Sequence, residues 1–170
     1  MKKNVKKITV GGLLIALALV LPMAFHLTGV PQPGQVFLPM HIPVLLGGFV
    51  LGPVFGFFVG LFSPIISSVL TGMPAVGRLP FMMIELAVYG LGSGLMYNTF
   101  KFNKKKMGTY ISLLTAMLCG RIVYAISLFV AVNLMGIQCG GPIAAVTATV
   151  SGVPGIIIQV LIIPPVVYAL

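Results

Sequence analysis

Residues 41–72 read HIPVLLGGFVLGPVFGFFVGLFSPIISSVLTG, two apolar segments joined at Gly52-Pro53. Small or helix-breaking residues fall on every fourth position: Gly48, Gly52, Gly56, Gly60, Pro64, Ser68 and Gly72. Four residues is slightly more than one helical turn, so within each segment these positions share a face. In lipid, apolar bulk gives helices no driving force to associate, whereas a small-residue face lets two backbones approach closely. The spacing therefore predicts a pair of membrane helices around which the other spans pack.

Composition agrees. The chain has 170 residues, of which 59% are hydrophobic and 6% charged. Those values exclude an ordinary soluble domain and a disordered chain. The formal net charge is +9, but the charges are placed for a membrane surface and not for nucleic acid. Eight of the ten basic residues lie in two clusters, Lys2, Lys3, Lys6, Lys7 and Lys101, Lys104, Lys105, Lys106. Clusters of that kind anchor the cytoplasmic side of a membrane protein and meet anionic lipid there. Only Phe102 and Asn103 are interleaved with the second cluster, far short of the polar and aromatic pattern that a nucleic-acid surface would require.

Six spans account for the chain. The first covers 8–27, too long for the ~7–15-residue apolar core of a signal peptide, so it is expected to be retained. The second covers 38–51, with Pro39 and Pro43 near its start, and the third 54–70, with a kink expected at Pro64. The fourth covers 79–100, the fifth 108–134 and the sixth 142–170. The sixth is expected to break at Gly152-Val153-Pro154-Gly155 and again at Pro164-Pro165. A broken helix is tolerated at membrane depth only where protein or a cavity satisfies its freed backbone groups, so this span should line something. The segment 28–35, TGVPQPGQ, is expected to be a non-helical external loop, with further external loops at 71–78 and 135–141. Six spans place both lysine clusters on one side, with a cytoplasmic N-terminus. The whole chain, 1–170, is expected to form a single all-α membrane domain.

Two ionisable residues fall inside spans. Glu85 is the sole Asp or Glu in the sequence, about two turns into the fourth span, and Arg121 lies near the middle of the fifth. A charge in the bilayer core costs from ~2.5 kcal/mol upward, so it faces a partner, the bundle interior or a wet cavity. Either the two pair with each other, or at least one contacts a polar ligand. A buried Arg suits a carboxylate or phosphate, because its fork matches two oxygens; a buried Glu suits an amine or hydroxyl. Other candidates lie at similar depth or nearer the outside: His41, Thr71, Tyr89 on the face of Glu85, Tyr124 on the face of Arg121, Asn133 and Gln159. His26 reads as interfacial, and Cys119 and Cys139 as packing residues without a disulfide. No catalytic, metal or nucleotide motif is present, so neither an enzyme activity nor a cofactor is expected.

Several stretches together resemble the substrate-binding subunits, or S components, of energy-coupling factor (ECF) vitamin transporters. HIPVLLGGFVLGPVFGFFVG at 41–60 is similar to the family's I-P-x-L-x-G-x-x-x-G-P-x-x-G-x-x-x-G pattern. TGMP at 71–74, IELAVYGLGSGLMY at 84–97 and GRIVYA at 120–125 resemble one vitamin-transporter branch. Gly12 and Ala16 resemble the family's A-x-x-x-A docking surface, with Gly in the first place and Val20 four residues beyond Ala16. The resemblance implies six helices and an outward-facing pocket built from spans 4 to 6 and loops 1, 3 and 5. It also implies tight binding of a vitamin-like micronutrient in a bacterial or archaeal plasma membrane. The partners implied are a coupling membrane subunit and two ATPases, which would explain an ATP-driven import without a nucleotide site in this chain. Arg121 points to an acid such as pantothenate or lipoate; a free Glu85 would point to an amine of pyridoxamine or queuosine type; a mutually satisfied pair would allow a neutral ligand. A self-contained proton-coupled carrier using Glu85, or a structural subunit without ligand, are the competing readings.

Overall fold

The computed structural model describes residues 2–27, 29–104, 107–134, 136 and 141–169. Among these residues the ordered elements are all helical: α1 Lys2–His26, α2 Pro33–Phe37, α3 His41–Leu51, α4 Pro53–Thr71, α5 Leu79–Gly94, α6 Gly108–Asn133, α7 Gly141–Ser151 and α8 Val153–Ala169. A π-helical turn, Leu95–Thr99, continues α5, and a short 3-10 turn follows at Phe102–Lys104. Five stretches are long and apolar enough to cross a membrane. The α7–α8 pair, bent by 56°, is apolar enough taken together and brings the number to six if it is counted as one broken span. The chain is thus an all-helical, multi-pass membrane protein, and the exposed Leu, Ile, Val and Phe side chains along the helices face the apolar surroundings.

The four-residue stripe meets α5. A Cβ built on Gly56 would lie 2.5 Å from the Gly90 carbonyl oxygen, and one on Gly60 would lie 2.5 Å from the Leu86 carbonyl carbon. Only hydrogen fits where two backbones approach this closely, which is why the stripe must be glycine at those positions. Gly52 and Gly72 leave the stripe and turn the chain, with φ of 91° and 72°. The far ends of the helices are tied down locally. Asn98 in the π turn donates to the Gly48 and Phe49 carbonyls, satisfying the last turn of α3. After α4, Ser67 and Ser68 donate to the Met73 and Pro74 carbonyls, folding the loop back on the helix end.

Two expectations are corrected. The segment 28–35 is not helix-free: α2 begins at Pro33, whose fixed φ suits the first helical position, where an N–H would have no intrahelical partner. The Pro164-Pro165 pair lies inside α8 and does not end it. Pro164 is buried, and each proline forfeits only its own N–H bond to the carbonyl four residues back, so the helix continues to Ala169. The break at Gly152 is present, and Pro64 lies buried inside α4. Cys139, the side chain of His26 and most of the 135–141 loop lie outside the described residues.

On α1 the faces separate cleanly. Gly11, Leu14 and Ala18 are buried, whereas Gly12, Ala16 and Val20 are exposed. A Cβ on Gly12 would meet nothing within 4 Å.

Candidate functional site

The site is assembled where α3, α5 and α6 converge. Glu85 and Tyr89 stand one turn apart on α5 and face the same way. The Tyr89 hydroxyl donates to Glu85 Oε1 at 3.1 Å. Arg121 Nη1, from α6, lies 3.0 Å from the same oxygen. His41, the first residue of α3, places Nε2 4.0 Å from it and turns its ring edge-on to Tyr89 at 5.1 Å. Glu85, Tyr89 and His41 are each buried. Pairing with hydrogen bonds to the remaining lone pairs is what makes a buried carboxylate sustainable.

Glycine sets this geometry as well. A Cβ on Gly120, next to Arg121, would lie 2.6 Å from Tyr89 Cε1, so the ring packs directly against bare α6 backbone. At the broken sixth span, a Cβ on Gly152 would lie 3.3 Å from Arg121 Nη2. One on Gly155 would lie 2.6 Å from the Phe37 carbonyl carbon, which seats the start of α8 against the end of α2.

Glu85 occupies only one end of the guanidinium. Arg121 Nε and Nη2 are buried and have no hydrogen-bond partner among the described residues. These two nitrogens form the other edge of the fork. Arg121 borders a cavity of about 200 Å³ together with Leu38, Tyr89, Met117, Leu118, Thr149, Ile156 and Gln159. Gln159 is fully buried. Its Nε2 donates to the Leu38 carbonyl at 3.5 Å, and its Oε1 has no partner among the described residues. The cavity wall is almost wholly apolar, and the two N–H donors and the acceptor belong to residues that line it but are themselves covered.

Of the expected residues, the structure brings together Glu85, Arg121, Tyr89, His41 and Gln159. It places three elsewhere. Tyr124 packs with Phe81, Leu128, Ala131 and Ala145 in a separate apolar cluster. Thr71 is exposed and donates to the Ser67 carbonyl one turn back. Asn133 is exposed and donates to the Phe129 carbonyl. Residues not anticipated are Leu38, Met117 and Thr149 on the cavity wall and the three glycines above. For Gly152 and Gly155 the signal was present, since the expected helix break falls on them. No group of three potential metal ligands occurs among the described residues.

The family described as "ECF transporter, substrate-specific component" matches residues 6–167. No curated protein and no solved structure matches the chain.

Proposed function

Because the chain belongs to the ECF transporter substrate-specific components, we propose that it takes a vitamin-like micronutrient from the outer face into the cavity beside Arg121, with high affinity. The two substrate classes that suit the site are a carboxylate such as pantothenate or lipoate, and an amine-bearing compound of pyridoxamine or queuosine type. The observation that carries the reading is that Arg121 and Gln159, which line one cavity, hold two buried N–H donors and a buried amide oxygen without a partner among the described residues. Structural pairing alone would explain the Glu85 contact but leaves those groups unused, at a cost of about 1–3 kcal/mol each.

The chain, 1–170, acts as one domain with its lysine clusters and N-terminus in the cytoplasm. Import needs the ECF module, a coupling membrane subunit with ATPases, as the family implies. The exposed face of Gly12, Ala16 and Val20 is the surface that docks on the coupling subunit, because a small-residue helix face supports close packing in lipid. The test is a double dissociation. Arg121→Ala weakens ligand binding and leaves assembly with the module intact. Gly12→Leu with Ala16→Leu blocks assembly and leaves ligand binding intact. If either variant, the single or the double, impairs both functions equally, the separation of pocket and docking face is wrong.

A further inference from the structure

Two features meet at one cavity: the unused edge of Arg121 and the free oxygen of Gln159. From this juxtaposition we propose that the ligand is an organic monoacid. Its ionised carboxylate seats on Arg121 Nε and Nη2, and an N–H or O–H group of its body donates to Gln159 Oε1. The inference rests on the micronutrient-binding reading above and narrows its two substrate classes to one.

Charge decides between the classes. Glu85 already holds Arg121 Nη1 and the Tyr89 hydroxyl, so an ammonium ligand would find its obvious acceptor engaged and a cation beside it. The Glu85–Arg121 pair is formally neutral, so the groups left over decide the class. Buried Gly152, between α7 and α8, lies against Arg121 Nη2. The end of α7 and the start of α8 abut there, so their opposite partial charges largely offset each other. What remains is the Nε–Nη2 edge of Arg121, a pair of cationic donors that matches the two oxygens of one carboxylate. A dianionic phosphate would leave surplus charge in a cavity walled by Leu38, Met117 and Ile156.

Gln159 supplies the second recognition element. Because its Nε2 is directed to the Leu38 carbonyl, the amide cannot turn without setting oxygen against oxygen. Its Oε1 is therefore fixed as an acceptor, and a donor on the ligand completes it.

The test is titration calorimetry on the full-length protein in mild detergent with matched probes. These are nicotinate and nicotinamide, biotin and biotinamide, lipoate and lipoamide, pantothenate and pantothenol, with pyridoxamine as the cationic probe. Any compound that the protein carries through purification is tested beside its own amide. One acid is expected to bind, and its neutral counterpart to bind about a hundredfold more weakly, because charge-assisted bonds to Arg are lost. Glu85→Gln is expected to tighten that acid about tenfold, since a neighbouring negative charge goes while the Nε–Nη2 edge stays. Gln159→Glu is expected to weaken it about a hundredfold by setting a second carboxylate beside the ligand. Arg121→Lys keeps a cation for Glu85, so it guards against misfolding, yet lacks the second edge and is expected to lose about tenfold or more. Equal binding of the neutral partner, tight binding of pyridoxamine, or loss of binding in Glu85→Gln overturns the acid assignment and leaves the micronutrient reading in place. Failure of every probe, with no small molecule carried by the purified protein, overturns both.

Discussion

Gly120→Ala adds one methyl group to α6, and its consequence can be worked through. The new Cβ would lie 2.6 Å from Tyr89 Cε1, 2.7 Å from Cδ1 and 3.0 Å from Cζ, where ordinary contact begins at 3.4 Å. The ring must retreat by about 0.8 Å. Tyr89 is 2% exposed and packs edge-on with His41, so the retreat is taken up within the site. Its hydroxyl bond to Glu85 is already 3.1 Å, so a retreat of that size takes it beyond useful hydrogen-bond distance. Losing a hydrogen bond to a charged group costs about 1.5–3 kcal/mol, and overpacking about 1–3 kcal/mol. Replacing a helical glycine by alanine returns up to about 1 kcal/mol. The net expectation is a destabilisation of roughly 2–4 kcal/mol and a ten- to hundredfold loss of ligand affinity as Glu85 and Arg121 shift. Gly92→Ala is the control: it lies at the same α5–α6 contact, but its Cβ would sit 3.4 Å from Ala116, within ordinary contact. The assay is thermal unfolding in detergent with and without the ligand carried through purification. If Gly120→Ala melts and binds like Gly92→Ala, the packing of Tyr89 on bare α6 backbone does not set the site.

Other perturbations test separate parts of the account. Gly60→Leu forces α4 away from the α5 backbone at Leu86 and is expected to abolish stable expression, whereas Val69→Leu, on an exposed face, is expected to leave the melting temperature within a few degrees. Asn98→Ala leaves the Gly48 and Phe49 carbonyls without their side-chain donor and is expected to cost about 1–3 kcal/mol, read as a lower thermal midpoint with ligand affinity largely kept. Liposomes holding this chain alone are expected to show no net uptake, with uptake appearing when the coupling subunit, ATPases and ATP are added. Uptake by the chain alone, lost in Glu85→Gln, would instead support a proton-coupled carrier.

The backbone plan was legible because membrane folding leaves few options. Apolar length marks the spans, lysines mark their ends, and a four-residue glycine stripe requires a close helix partner. The partner itself was not legible. That α5 fills this place follows from Gly90 and Leu86 matching the stripe in three dimensions, which no spacing in one segment reveals. Glu85 and Arg121 were visible as charges in apolar spans, but whether they paired depended on the rotation of two helices. Thr71 and Asn133 drew attention as polar groups near span ends, yet each bonds a carbonyl one turn back. Short hydroxyl and amide side chains satisfy themselves locally in this way, so sequence depth alone overstates their part in a site. The α8 prolines misled because each removes only its own bond to the carbonyl four residues back, so α8 continues past them as α4 continues past Pro64.

The central claim is that the cavity beside Arg121 holds the transported compound. Its most direct test is mass spectrometry of small molecules released by denaturing the purified protein, run in parallel on wild type, Arg121→Lys and Arg121→Ala from cells grown in rich medium. The account predicts one near-stoichiometric compound in wild type, much less in Arg121→Lys and none in Arg121→Ala, with all three proteins folded. Equal retention of that compound by the Arg121 variants would place the ligand elsewhere and contradict the account.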